Sequence, residues 1–184
     1  MQKTILLILS FISLIGCSNE SKQNNGNLRQ YNTETIKSKL SVPYTTFSEG
    51  YRSLDAEMIS NSYTKDALLI NVYNDAEPKS FKGRKSIYNF FSENLERAKK
   101  ESLNIRITFK ILHRQILDEG ILDNGYYKLE ISSPNQDINE RYGKFSIVLT
   151  QKLDEWKFSV DTNASSTKKE YEEAILIENQ VLKE

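Results

Sequence analysis

Apolar residues at Ile36, Leu40, Pro43 or Tyr44, Phe47, Tyr51 and Leu54 recur every three or four positions, the stripe of an amphipathic helix. Pro43 has no N–H to give a helix interior, which predicts a break near Ser41 and a second piece with Pro43 in its first turn. Leu54-Asp55-Ala56 predicts a cap and a short helix to about Ser62, with Asp55 accepting from backbone N–H groups. Ala67 to Tyr73 predicts a strand. After Gly83, residues Ile87, Phe90, Phe91, Leu95 and Ala98 form the strongest helical stripe, ending at Lys99-Lys100, where basic residues suit the helix dipole.

From Asn104 the period changes to two. Ile105, Ile107, Phe109 and Ile111 fall on one face of a strand, with Arg106, Thr108 and Lys110 on the other. Glu119-Gly120 suggests a tight turn into Ile121 to Ser132, where Tyr127, Leu129 and Ile131 alternate with Lys128 and Glu130. A polar loop is expected around Pro134 to Glu140. Two more alternating runs carry Phe145, Ile147 and Leu149, then Trp156, Phe158 and Val160, against polar partners. Lys168 to Lys183 reads as a final amphipathic helix, apolar at Tyr171, Ala174, Ile175, Val181 and Leu182. Helices followed by a meander with one apolar face predict an α+β, two-layer fold: N-terminal helices packed on a curved antiparallel sheet, plus a C-terminal helix.

The first seventeen residues are of another kind. Lys3, the apolar run from Ile5 to Ile15 and a small residue before Cys17 fit a secretory signal peptide, because the run is too short to cross a bilayer. Leu14-Ile15-Gly16-Cys17 resembles a bacterial lipobox, which implies removal of residues 1–16 and lipidation, including palmitate, of Cys17. Several acyl chains hold a protein on its membrane where one holds it only marginally. The expected location is the cell envelope, on the outer membrane where the cell has one. Residues 17–33 are then the lipidated cysteine and a polar tether, and residues 34–184 a single domain. The chain has 25 basic and 25 acidic residues, and removal of the leader takes away only Lys3, so no charge footprint for nucleic acid exists. The lone cysteine excludes a disulfide framework.

Phe47-(x)7-Asp55-(x)7-Tyr63-(x)2-Asp66-Ala67, then Phe81-Lys82-Gly83-Arg84-(x)2-Ile87-(x)2-Phe90-Phe91, then a meander ending in Trp156-Lys157-Phe158, resembles the nuclear-transport-factor-2-like superfamily. The likeness is to its SnoaL-like or related uncharacterised bacterial branch, over roughly residues 44–163. The resemblance implies a cone, with three helices against a strongly curved sheet and a pocket at the open end, and a fold in which dimers are common, often through the sheet. It implies no single activity, since the fold carries isomerases, cyclases, hydrolases and members that only bind.

Strand parity extends the face of Ile105 to Ile111 through His113 and Gln115, and places Tyr127 on the neighbouring strand. The candidate ligand-binding residues are His113, Gln115, Tyr127 and Phe109, and the catalytic candidates are His113, Tyr127 and Tyr51, an imidazole base beside phenolic donors. Family enzymes of the ketosteroid isomerase kind need an aspartate aimed into the pocket. By parity Glu130 and Asp161 lie on the polar face, while Asp118, Asp123 and Asp137 lie in or next to turns. Asp55 matches a recurrent aspartate of the branch and reads as a helix cap, and Asp66 as a loop residue or the opening residue of a strand. One histidine argues against a histidine-built metal centre, and neither metal nor cofactor is expected.

Leu112, Ile116, Tyr126 and Val148 interrupt the charged outer face, as a surface for the C-terminal helix or a second copy of the chain would. The leading expectation is a lipid-anchored, non-catalytic protein whose cone binds a small apolar molecule or a protein partner. The alternatives are a small isomerase, cyclase or hydrolase using His113 with Tyr127 or Tyr51, and a structural lipoprotein whose cone is filled by side chains.

Overall fold

The helical stripe of the N-terminal segment is one continuous helix, α1 (Thr33–Arg52), in the computed structural model, which describes the backbone of residues 33–134, 136–175 and 181–182. Cys17, the expected signal peptide and most of the expected tether lie outside the described residues. The break expected near Ser41 does not occur. Leu40, Pro43, Tyr44 and Phe47 are all buried, so packing of this face outweighs the hydrogen bond that the proline cannot donate. Thr45 Oγ1 donates to the Val42 carbonyl at 3.0 Å in the same turn.

Asp55 opens α2 (Ala56–Asn61) as expected, its Oδ1 accepting from the N–H groups of Glu57 and Met58 at 2.9 and 3.0 Å. The chain continues through β1 (Tyr63–Val72), β2 (Lys79–Lys82) and α3 (Arg84–Lys100). Gly83, with φ of 81°, makes the turn between β2 and α3 in a backbone region that favours glycine. The meander is β3 (Asn104–Leu117), β4 (Gly120–Ser133), β5 (Gln136–Lys152) and β6 (Glu155–Ser166). Most of the polar loop expected at 134–140 is instead strand: β5 pairs with β4 from Gln136 onward, through residues 137–141 that are exposed.

The C-terminal helix is shorter than its stripe suggested. A capping box, Thr167 with Glu170, starts α4 (Lys168–Glu173), and Ala174 then turns to an extended conformation. Val181 and Leu182 form a two-residue strand, β7, paired to β3 at Phe109 and Lys110.

The sheet order is β2-β1-β6-β5-β4-β3-β7. It is antiparallel except where β1 joins β6 in parallel, a crossover pairing that local alternation could not reveal. The sheet is curved and unclosed, with α1 lying across β3 and β6 and α3 against β1. Tyr44, Phe47, Ile87, Phe91, Leu95, Phe109, Ile111, Ile147, Leu149 and Phe158 are buried between the layers, with Phe90, Leu129 and Trp156 packed at their margin.

Two bulges decide which side chains reach that inner face. Ile111 pairs with Gly125 and His113 with Asn124, so Leu112 is an extra residue on β3. Val148 pairs with Val160 and Leu149 with Phe158, so Ser159 is an extra residue on β6. Each insertion reverses the alternation beyond it and re-aims every following side chain.

Candidate functional site

Between the helices and the sheet lies a cavity of about 170 Å³. Its walls include Phe47 and Tyr51 from α1, Phe90 and Phe91 from α3, Phe109 from β3, Tyr127 from β4 and Phe145 from β5. The polar lining comes from Asn71 on β1 and from Asp161 and Asn163 on β6.

Asp161 reaches the cavity because Ser159 bulges. Its residue surface is only 6% exposed, and its Oδ2 accepts a 2.6 Å hydrogen bond from the Tyr63 hydroxyl. Burial pushes the carboxyl up to about 6, against a smaller lowering by that bond. Among the described residues no second donor and no cation reaches Asp161, so Oδ1 is a free acceptor at the cavity. Asn163 Nδ2 donates to Asn71 Oδ1 at 2.8 Å, so these two amides engage each other. The start of β1, from which Tyr63 projects, is held by Arg84, whose Nε and a terminal nitrogen donate to the Tyr63 carbonyl at 3.0 and 2.6 Å.

The hydroxyls of Tyr51 and Tyr127 make no hydrogen bond with a described residue. Burial, then the nearby Tyr127 and Asp161, raises the Tyr51 hydroxyl above its ordinary value. Burial and Asp161 push Tyr127 up to about 12. Both therefore stay protonated donors at neutral pH. Tyr127 sits opposite Gly143 on β5, and a side chain at 143 would run into its ring, so the glycine is what lets the tyrosine lie there.

A second buried carboxylate is built differently. Asp123 is fully buried and pairs with Arg114 through two 2.7 Å bonds, while the Tyr44 hydroxyl donates to Asp123 Oδ2 at 2.7 Å. The bulge at Leu112 brings Arg114 to this position. It does the reverse to His113 and Gln115, which are exposed on the other side of the sheet. The expectation that these two continue the face of Ile111 is therefore corrected: one inserted residue moves them away from the cavity. Tyr51, Tyr127 and Phe109 are brought together in its lining. The placements of Asp161 on the polar face and of Asp123 at a turn are corrected as well. Asp123 shares the parity of Tyr127, Leu129 and Ile131, a signal present in the sequence, whereas Asp161 and Asn163 carry no such mark.

A larger open groove, about 930 Å³, runs outside the cone between α1, the β3 edge and Tyr171. Surface ion pairs occupy much of it, Arg52 with Glu49 and Lys128 with Glu130, so it lacks the unpartnered buried groups of the inner cavity. Among the described residues no group of three or more His, Cys, Asp or Glu side chains could hold a metal ion.

Among solved structures, the chain is similar to an NTF2-like protein with a cystatin-like fold from Novosphingobium aromaticivorans. The TM-score is 0.60 at 10% identity, over 74% of this chain and 85% of that one. The fold is that of the nuclear-transport-factor-2-like proteins. An NTF-2 like protein of unknown function from Shewanella oneidensis MR-1 matches with TM-score 0.55 at 14% identity, over 71% of this chain and 99% of that one. A ketosteroid isomerase-like protein from Erwinia carotovora atroseptica matches with TM-score 0.52 at 7% identity, over 71% and 95%. No family model matches the chain, nor does any curated protein sequence. At these identities a nuclear-transport-factor-2-like likeness is one of fold, and the chemistry rests on the side chains described above.

Proposed function

We propose that this chain is a lipid-anchored protein of the bacterial cell envelope whose cone holds a small, largely apolar molecule without transforming it. The observation that carries the reading is the 170 Å³ cavity, walled by aromatic rings and furnished with Asp161, Tyr51 and Tyr127. An apolar enclosure with a few convergent polar groups is what small-molecule sites are made of, and it favours an open cone over one filled by side chains. Titration with toluene, followed through the aromatic NMR signals, tests it: shifts confined to Phe109, Tyr51 and Tyr127 are expected, and their absence at saturation rejects the cavity as a site.

Anchoring rests on the apolar leader that stops just before Cys17. Mass spectrometry of membrane-purified protein should find lipid on Cys17 and no residues 1–16, and Cys17→Ala should release the protein from the membrane. The half-buried Leu112, Tyr126 and Val148 on the outer sheet face support a homodimer through that face. Ile116, expected there, is turned by the bulge at Leu112 to the face of Arg114 and Ile121. Sedimentation of wild type against Tyr126→Lys tests the homodimer.

A second reading is a proton-transfer enzyme of the isomerase kind. It is favoured by a carboxyl near 6 beside two phenolic donors, the arrangement of a general base with stabilisers for a developing oxyanion. Here Asp161 takes the role first sought in His113. Deuterium exchange into small cyclic ketones that disappears in Asp161→Asn would support it, and no exchange would leave the binding protein.

A further inference from the structure

The two buried aspartates differ in one respect. Asp123 has a guanidinium as its counter-charge, and Asp161 has only a phenol. An ionised carboxylate withdrawn from water is costly unless a cation or several donors compensate it. Among the described residues neither is supplied to Oδ1 of Asp161, a residue that lines the cavity space. That space is surrounded by ring faces and edges. Phe47 packs on Phe91 with centroids 5.6 Å apart at 87°, and Phe109 on Phe145 at 5.6 Å and 86°. Aromatic walls attract a cation through the ring quadrupole, and most strongly when water is excluded.

We infer that the ligand of this cavity is an organic ammonium with a single-ring body, its N–H groups directed at Asp161 Oδ1 and its charge held among the surrounding rings. The inference rests on the proposed ligand-binding reading and names the class of ligand. Size sets the body: a dry cavity of about 150 Å³ accepts one benzene ring, so about 170 Å³ leaves room for a ring and a short aminated arm and excludes multi-ring molecules. Tyr51 and Tyr127 complete the head site, because a hydroxyl without a partner can accept from the remaining N–H groups. Carboxylate ligands are repelled by the same Asp161.

The test compares isosteres at pH 7.5 on the full-length protein in mild detergent: benzylamine, benzyl alcohol and benzoate, by calorimetry. Benzylamine is expected to bind at least about tenfold more tightly than benzyl alcohol, with benzoate weakest. In Asp161→Asn the advantage of the amine should vanish while benzyl alcohol still binds. Wild-type protein that binds benzyl alcohol or benzoate as tightly as the amine overturns the ammonium assignment and leaves the apolar-ligand reading standing. An amine preference that survives in Asp161→Asn overturns it too, since the charge would then be read elsewhere. If none of the three, nor toluene, binds at millimolar concentration, both readings fall. The wild-type ranking needs no variant, so a poorly folding Asp161→Asn does not remove the test.

Discussion

The hydroxyl of Tyr63, at the start of β1, donates a 2.6 Å hydrogen bond to Asp161 on β6, and so joins the two strands that run parallel in this sheet. The same bond fixes one carboxylate oxygen and leaves the other turned to the cavity. A strand crossover, a bulge at Ser159 and a tyrosine thus together place one acceptor in an aromatic chamber.

That burial has a consequence for stability against pH. Burial raises Asp161 from 3.8 to about 6, so folding favours the protonated form. Below about pH 4 both states carry the proton and the contribution is full; between about 4 and 6 the unfolded chain has lost it and the folded chain has not; above about 6 the contribution is gone. The loss is about 3 kcal/mol for a shift of about two units. Urea denaturation from pH 3.5 to 7.5 should show wild type losing about that much relative to Asp161→Asn as pH rises. A flat difference between the two would contradict the raised value.

Gly143→Ala should cost about 1–3 kcal/mol, because the added methyl group overlaps the Tyr127 ring across the strand pair. The loss should be smaller in a Tyr127→Ala background. A double-mutant cycle by chemical denaturation measures the coupling, and additive effects would mean that the ring and the methyl group do not meet.

The elements were legible in the sequence because their periods are clean: the stripe from Ile87 to Ala98 and the alternation from Ile105 to Ile111 end up buried as read. Pro43 was misleading because its local cost is real but smaller than the packing around it. Val181 and Leu182 carried a helical pattern, yet they pair with β3, where a sheet edge offers them partners. The site was legible only in part. Alternation counts residues, and a bulge adds one without changing composition, so His113 and Gln115 were assigned the inner face that belongs to Arg114, and Val160 the face of Asp161 and Asn163.

Phe109 packs edge-on to Tyr44, Phe47 and Phe145 and forms part of the cavity wall. Phe109→Ala should cost about 3–5 kcal/mol and merge the space it leaves with the cavity. Equilibrium unfolding measures the first effect. Binding of naphthalene by the variant but not by wild type, followed by fluorescence, measures the second.

Arg114, Asp123 and Tyr44 pin α1 to the β3–β4 hairpin through one fully buried carboxylate. Removing one partner should hurt more than removing the pair. Asp123→Ala takes the buried carboxylate from an Arg114 guanidinium whose side chain is only 16% exposed, at a cost in the lower part of the about 3–5 kcal/mol expected for a broken buried pair. Arg114→Leu leaves the carboxylate with only the tyrosine, and a similar loss is expected. The double replacement Arg114→Leu with Asp123→Leu strands no charge, so it should lie closer to wild type than either single variant. Tyr44→Phe should cost about 1–3 kcal/mol, since it takes one donor from a buried charged acceptor. Chemical denaturation of the four variants decides the matter: a double variant less stable than both singles would show that the cluster contributes net stability rather than fixing the position of α1.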